Sequence, residues 1–257
     1  MPFFLLLSPA KNMRESAPYY HFCPTVPEAL NEAEALIETM RGFSVADIQR
    51  LMGVSDAIAE LNARRFADYD TGRLRQGGGV PALLAFNGDV YRNIATATYG
   101  ADDFAFAQRK IRILSGLYGL LRPFDLILPY RLEMGLKLKT HGADNLYAFW
   151  KDKMTDLLSL AARETGAGRA LNLASQEYFG AVSASRFALP TIAVHFKERT
   201  PKGLRTFGIL AKRARGMMAD HIVRRRIDDV DDVKSFNREG YAFAPELSSE
   251  KEWVWQR

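Results

Sequence analysis

Met1-Pro2-Phe3-Phe4-Leu5-Leu6-Leu7-Ser8-Pro9-Ala10-Lys11 opens the chain, and the reading of its apolar run decides the fold. Phe3 to Leu7 are apolar without a break, and Ser8-Pro9 end the run far short of the roughly 20 residues a membrane-spanning helix needs. No basic segment precedes it, so it does not read as a secretory leader. The run is therefore expected to be a buried β-strand that opens the fold, with Ser8 and Lys11 delivered just beyond its end.

Working outward, apolar strands and amphipathic helices alternate. Glu28 to Met40 has helical spacing through Ala29, Ala33, Leu36, Ile37 and Met40. Two short helices are expected between Val45 and Tyr69. Thr71 to Gly79 holds four glycines and few apolar anchors, and is expected to loop out from the body. Ala82–Phe86 reads as a strand, 102–110 as a helix opening with two acids, and Ile111–Leu114 as a strand. Leu146–Ala162 is a long amphipathic helix. Strands are expected at Ala170–Leu173, Thr191–Lys197 and Thr206–Leu210, and a basic helix at Lys212–Arg226. The pattern predicts a mixed α/β (α+β) fold, a central and mostly buried sheet flanked by helices, in one domain spanning 1–257. Strand order does not follow from it.

Composition narrows the function. Of 257 residues, 47% are hydrophobic and 25% charged, so the core needs no disulfide or structural metal. The one cysteine, Cys23, fits a reducing, cytoplasmic setting, and no membrane attachment is expected. Lys11, Arg14 and His21 lie near it in sequence, which would suit a redox-sensing thiol; an inert thiol needs no such neighbours. His21, His141, His195 and His221 show no ligand spacing, so neither a metal nor any other cofactor is expected. The net charge of +5 permits a polyanionic partner without establishing one. No patch points to a stable protein partner.

Residues 44–68 carry the clearest local signal. Ser44 suits a helix N-cap with Asp47 three residues on, and Ile48, Leu51 and Met52 form an apolar stripe. Gly53 breaks that helix, Val54 follows, and Ser55 caps a second helix bearing Ile58, Leu61 and Phe66, with Arg64 and Arg65 near its end. A helix start offers amides without intrahelical partners, which a phosphate can accept without any base being read. The pattern is similar to the helix-hairpin-helix motif of non-specific DNA binders. Ser55 stands where that motif has its second glycine, and Asp56 adds a charge that opposes phosphate. The alternative is a plain helical hairpin covering one end of the sheet.

Polar residues cluster just past apolar strands. Lys11 follows the first strand, Asp89 follows Phe86, Ser115 follows Leu114, and Ser175 and Glu177 follow Leu173. If the strands run parallel, these converge on one cleft; turns alone also demand such residues. Arg131 and Glu133 alternate, and on a strand would share a face as an ion pair. Lys212, Arg215 and Arg226 fall near one helical face and could follow a phosphate backbone. Tyr91, Tyr118, Tyr130 and Tyr178 would stack on bases if exposed, or pack with one hydroxyl hydrogen bond each if buried.

Several strings occur together: Ser8-Pro9-Ala10-Lys11, Phe86-Asn87-Gly88-Asp89-Val90-Tyr91, Leu114-Ser115-Gly116-Leu117-Tyr118-Gly119, Pro129-Tyr130-Arg131-Leu132-Glu133-Met134-Gly135, Asn172-Leu173-Ala174-Ser175 and Phe236-Asn237. In this order and spacing the chain resembles the YaaA family over nearly its whole length. The resemblance implies a cytosolic protein of the hydrogen-peroxide response that limits free iron and oxidative damage to DNA and protein. It also implies DNA binding through a positive cleft and a helix-hairpin-helix element.

Three functions remain in view, one of them a stress adaptor whose surface binds another protein, for which the sequence offers no anchor patch. The first is a non-catalytic, non-sequence-specific DNA binder gripping the backbone with Lys11, Gly53, Val54, Ser55, Arg64, Arg65, Arg131, Lys212 and Arg215. The second is an enzyme acting on a nucleotide or nucleic-acid base, with Lys11 as nucleophile or phosphate clamp and Asp89 or Glu133 as its acid–base partner. The second requires Lys11 within hydrogen-bond reach of a carboxylate in a closed pocket.

Overall fold

A computed structural model describes residues 1–18, 22–140, 142–183 and 185–257. In chain order the elements are β1 (Phe3–Leu7), α1 (Leu30–Arg41), α2 (Val45–Met52), α3 (Asp56–Ala67), α4 (Thr71–Arg75), β2 (Val80–Pro81), α5 (Ala82–Ala85), α6 (Ala101–Lys110) and β3 (Ile111–Ser115). There follow β4 (Gly119–Leu121), β5 (Leu126–Ile127), α7 (Leu146–Thr165), β6 (Arg169–Asn172), α8 (Gln176–Phe179), β7 (Thr191–Thr200), β8 (Gly203–Arg205), α9 (Gly208–Arg224), β9 (Ala242–Phe243) and β10 (Glu252–Gln256).

The opening run is the centre of the sheet. Strand order is β4-β3-β1-β6-β7-β10-β9, and the inner strands β3, β1, β6, β7 and β10 run parallel. All five residues of β1 are buried, as befits a parallel strand covered on both faces. Its Leu5 sits between Ile111 of β3 and Leu171 of β6. From β1 the chain adds β3 on one side and later β6 on the other. That reversal is the switch point where open α/β sheets place their ligands, beyond the carboxyl ends of the strands. The last residues of β7 leave the sheet to pair with β8, making an exposed hairpin whose turn is Pro201-Lys202.

The helices follow their sequence logic. In α2 the Ser44 and Asp47 side chains cap one another's backbone, and Gly53 ends the helix at φ 60°, a left-handed value open to glycine. Ser55 precedes α3 without a side-chain capping bond. Asn145 caps α7, whose Leu146, Trp150, Met154, Leu158 and Ala161 face the core. There the Trp150 indole N–H donates to the Gly116 carbonyl at 2.8 Å.

Four expectations are corrected. Residues 82–85 form a turn of helix, α5, with every side chain buried; a short apolar run does not by itself distinguish strand from helix. Residues 71–75 are helical and do not loop out, because Asp70 caps α4 and Leu74 is buried. Thr206–Leu210 is not a strand, since β8 ends at Arg205 and α9 starts at Gly208. Arg131 and Glu133 lie on irregular backbone, yet they do form the ion pair.

The helix expected at Lys212–Arg226 is α9, and its second half is core. Residues 216–223 are all buried, including Asp220 and His221. Among the described residues no helix is long and apolar enough to cross a membrane.

Candidate functional site

Beyond the ends of β1 and β6 lies a cleft of about 300 Å³. β1 supplies Ser8 and Lys11, the turn after α5 supplies Asp89 and Arg92, β6 runs on to Ser175 and Glu177, and α9 contributes Lys212 and Arg215. Glu133 enters from the irregular segment behind. The base is tied together by short bonds: the Ser175 amide donates to Ser8 Oγ at 2.8 Å, and the Tyr91 hydroxyl to the Ser8 carbonyl at 2.8 Å. Gly216 lets α9 come close. A Cβ there would lie 2.0 Å from the Val90 carbonyl oxygen, so a side chain would push Arg215 away from the cleft.

Glu133 is the chemical centre. Its Oε1 lies 3.2 Å from Lys11 Nζ and 3.0 Å from Arg131 Nε. Its Oε2 is buried and has no hydrogen-bond partner among the described residues. An orphaned buried carboxylate oxygen costs free energy, and a ligand N–H would relieve it. The Lys11 side chain is 64% exposed, so its ammonium faces the cleft opening while Glu133 lies deeper. Asp89 is paired with Arg92 at 2.6 Å, and Glu177 accepts the Gly135 amide at 3.1 Å.

Two cations in the cleft have no carboxylate partner among the described residues. Lys212 is exposed and unpaired among the described residues. Arg215 is half-buried, its Nε lacks a partner, and burial pushes its pKa down. A desolvated, unpaired guanidinium is a ready site for an anion.

A more open hollow of about 430 Å³ lies at the opposite end of the sheet, near Arg169, Lys234 and Trp253. Lys234 there is already held by Asp231 at 2.5 Å and by the Trp253 ring at 4.6 Å. It faces the amino ends of β6 and β10, away from the switch point, so the smaller cleft is the better candidate.

The sequence-derived residues therefore divide. Lys11, Asp89, Glu133, Lys212 and Arg215 share the cleft, and Arg131 adjoins it through Glu133. Gly53, Val54, Ser55, Arg64 and Arg65 do not line it. Arg65 reaches back to Glu15 at 3.1 Å, four residues after Lys11. The hairpin tip is ten residues earlier on α3, about 15 Å along the helix. Asp56 is engaged by the Gln49 side chain, and Arg64 is exposed. Arg226 has left the helix at φ 48° and pairs with Asp102 and Asp103, so it is off the proposed row. The four tyrosines are all buried, which removes them as base-stacking platforms and leaves packing. The Tyr130 hydroxyl meets Ser115 Oγ at 2.7 Å, and burial raises the Tyr91, Tyr118 and Tyr178 pKa values well above normal.

Cys23 is exposed. His21 and His141 fall outside the described residues, and among those described no group of three or more His, Cys, Asp or Glu is placed to hold a metal.

The sequence reading missed a stretch beside the cleft. Residues 197–215 hold seven cations and one acid, a net +6 against +5 for the whole chain. Only Arg213 among them has a carboxylate partner, Glu239 at 3.1 Å. Lys197, Arg199, Lys202, Arg205, Lys212 and Arg215 have none among the described residues, and the acid, Glu198, is held by Arg257 and Tyr241. The signal was present as cations repeating through 197, 199, 202 and 205.

A parallel-centred α/β sheet with a cation-rimmed cleft at its switch point places the chain in the open-sheet α/β class, with that cleft as its candidate site. More narrowly, the chain belongs to the peroxide stress protein YaaA family, whose model matches residues 3–247. It is 44% identical over 253 residues to a UPF0246 protein of Caulobacter vibrioides, covering 98% of each chain. It is 42% identical over 256 residues to a UPF0246 protein of Neisseria meningitidis, covering 99% of this chain and 98% of the other. Membership supports a role in the response to peroxide stress.

Proposed function

We propose that the protein serves the peroxide-stress response by binding DNA through its phosphates, without base readout, on the face formed by the β7–β8 hairpin and the start of α9. The observation that carries this reading is the set of six cations between 197 and 215 that no carboxylate among the described residues neutralises. Unpaired surface charge of one sign is what counterion release needs. The α2–α3 hairpin would add a second, weaker contact through the free amides at the start of α3. Any effect on free iron would be indirect.

The test is a salt titration of duplex binding. If five to six phosphates are neutralised, log K against log salt should fall with a slope of about −5. A flat titration between roughly 50 and 200 mM salt would end this reading, since that range should cost such an interface several hundredfold or more.

One observation favours a second reading. Lys11 lies 3.2 Å from a carboxylate, Glu133, which supports the pairing an enzyme acting on a nucleotide or base would need, while the 64% exposure of its side chain leaves the closed pocket such an enzyme also needs unmet. Turnover of a nucleotide that Lys11→Ala and Glu133→Gln both abolish would establish it. Intact substrate after prolonged incubation with wild-type protein would remove it.

A further inference from the structure

The large apolar side chains Phe207 and Ile209 are 46% and 67% exposed, and they stand between the cationic hairpin and Lys212. Exposed apolar surface set inside a field of unpaired cations suits a partner that is anionic outside and apolar inside. Stacked DNA is such a partner: its phosphates answer the cations, and its base faces accept an apolar wedge.

We propose that Phe207 and Ile209 insert into the base stack and that the displaced nucleotide enters the neighbouring cleft. This rests on the DNA-binding reading and deepens it.

The cleft matches one nucleotide in size and charge. Its volume of about 300 Å³ is at the lower end of small-ligand sites, roughly 300–1,000 Å³. Lys212 and Arg215 at the rim, both without carboxylates, take the phosphate. Val90 and Leu173 offer apolar wall to the ring. Glu133, only 8% exposed, supplies the buried Oε2 that lacks a donor. Each of the four bases carries an N–H on its pairing edge, so this acceptor would take any of them, in keeping with binding that ignores sequence. Extrusion costs a few kcal/mol for a paired base and least for a mispaired or damaged one. The preferred target is therefore a duplex with a defective pair.

The experiment uses the full chain and a fluorescein-labelled duplex holding one mispaired 2-aminopurine. Anisotropy reads backbone binding. 2-Aminopurine emission and permanganate reactivity of a neighbouring thymine read extrusion. Wild-type protein should raise both extrusion signals at saturation. Phe207→Ala/Ile209→Ala, read at protein concentrations where anisotropy shows the duplex saturated, should return emission and permanganate reactivity to the free-duplex level; both sites are exposed, so folding is not at stake. Glu133→Gln should lower the extrusion signals in the same direction. Tight binding with neither extrusion signal changed overturns the proposal and leaves the DNA-binding reading intact. Extrusion that survives the double variant removes the wedge and overturns it as well. No anisotropy change even at low salt overturns both readings together.

Discussion

His221 sits buried on α9, its ring edge-on to Phe236 at 5.5 Å and its Nε2 3.5 Å from Ser235 Oγ. Burial, with the positive charges of Arg225 and Arg238 added, pushes its pKa down to about 4, while Asp220 pulls the other way. In the unfolded chain the group titrates near 6.5. Below about pH 6.5 the unfolded state therefore binds the proton that the native state refuses, so stability falls as pH drops toward 4 and is unaffected above 6.5. At about 1.4 kcal/mol per pKa unit, the full loss is about 3 kcal/mol. Thermal melts of His221→Gln should show a flatter decline than wild type between pH 6.5 and 4. Parallel curves for the two proteins would mean His221 is not the titrating group. The same helix carries Asp220, which accepts from Arg238 at 2.6 Å, Tyr99 at 3.0 Å and the Ala95 amide at 3.0 Å. One helix thus fixes the core with its second half and presents Lys212 and Arg215 with its first.

Two hairpins are candidates for the proposed contact with DNA, and they differ in how free their charges are. On the α2–α3 hairpin Arg50 is paired with Asp47, and Asp56 lies at the helix start where phosphate would bind. On the β7–β8 hairpin Arg199, Lys202 and Arg205 have no acidic partner among the described residues. Replacing those three with alanine should reduce the salt slope by about 3, close to 0.9 for each phosphate no longer neutralised. The melting temperature should hardly move, because exposed substitutions seldom exceed about 0.5 kcal/mol. Gly53→Ala should do the reverse. Its left-handed backbone makes a side chain cost about 1–2 kcal/mol, yet DNA affinity should hold. If Gly53→Ala weakens DNA binding as much as the triple variant, the interface belongs to α2–α3. The capping residues Ser44 and Gly53 were legible in sequence because caps are local chemistry. The β7–β8 hairpin was not, because its importance lies in which acids fail to reach it, and that is a property of the folded surface.

Across the whole molecule, legibility followed the range of the interactions involved. β1, α1, α3 and α7 are written in local periodicity. The convergence of Lys11, Ser175 and Glu177 followed from one rule, that parallel strands gather polar residues at their carboxyl ends. Asp89 and Glu133 join them from the turn after α5 and from irregular backbone, whereas Ser115, expected with them, is buried against Tyr130 and does not line the cleft. Ala82–Ala85 misled because a buried apolar run has no period to read. β10 gave no signal at all: Trp253-Val254-Trp255 becomes a strand only because it completes the sheet between β7 and β9. Its register sets Trp255 beside Phe196 of β7 and opposite Phe243 of β9. Trp255 is fully buried, lies 5.1 Å from the Phe243 ring, and donates its indole N–H to the Phe236 carbonyl at 3.2 Å. Trp255→Ala should cost about 3–5 kcal/mol in urea denaturation, the range for emptying a buried aromatic site. The Arg199 amide also donates to the Arg257 carbonyl at 2.7 Å, so β10 braces the base of the cationic hairpin. The same variant should then weaken DNA binding even under conditions where it remains folded. A loss of stability under about 1 kcal/mol would show that β10 is a frayed edge and that the hairpin stands without it.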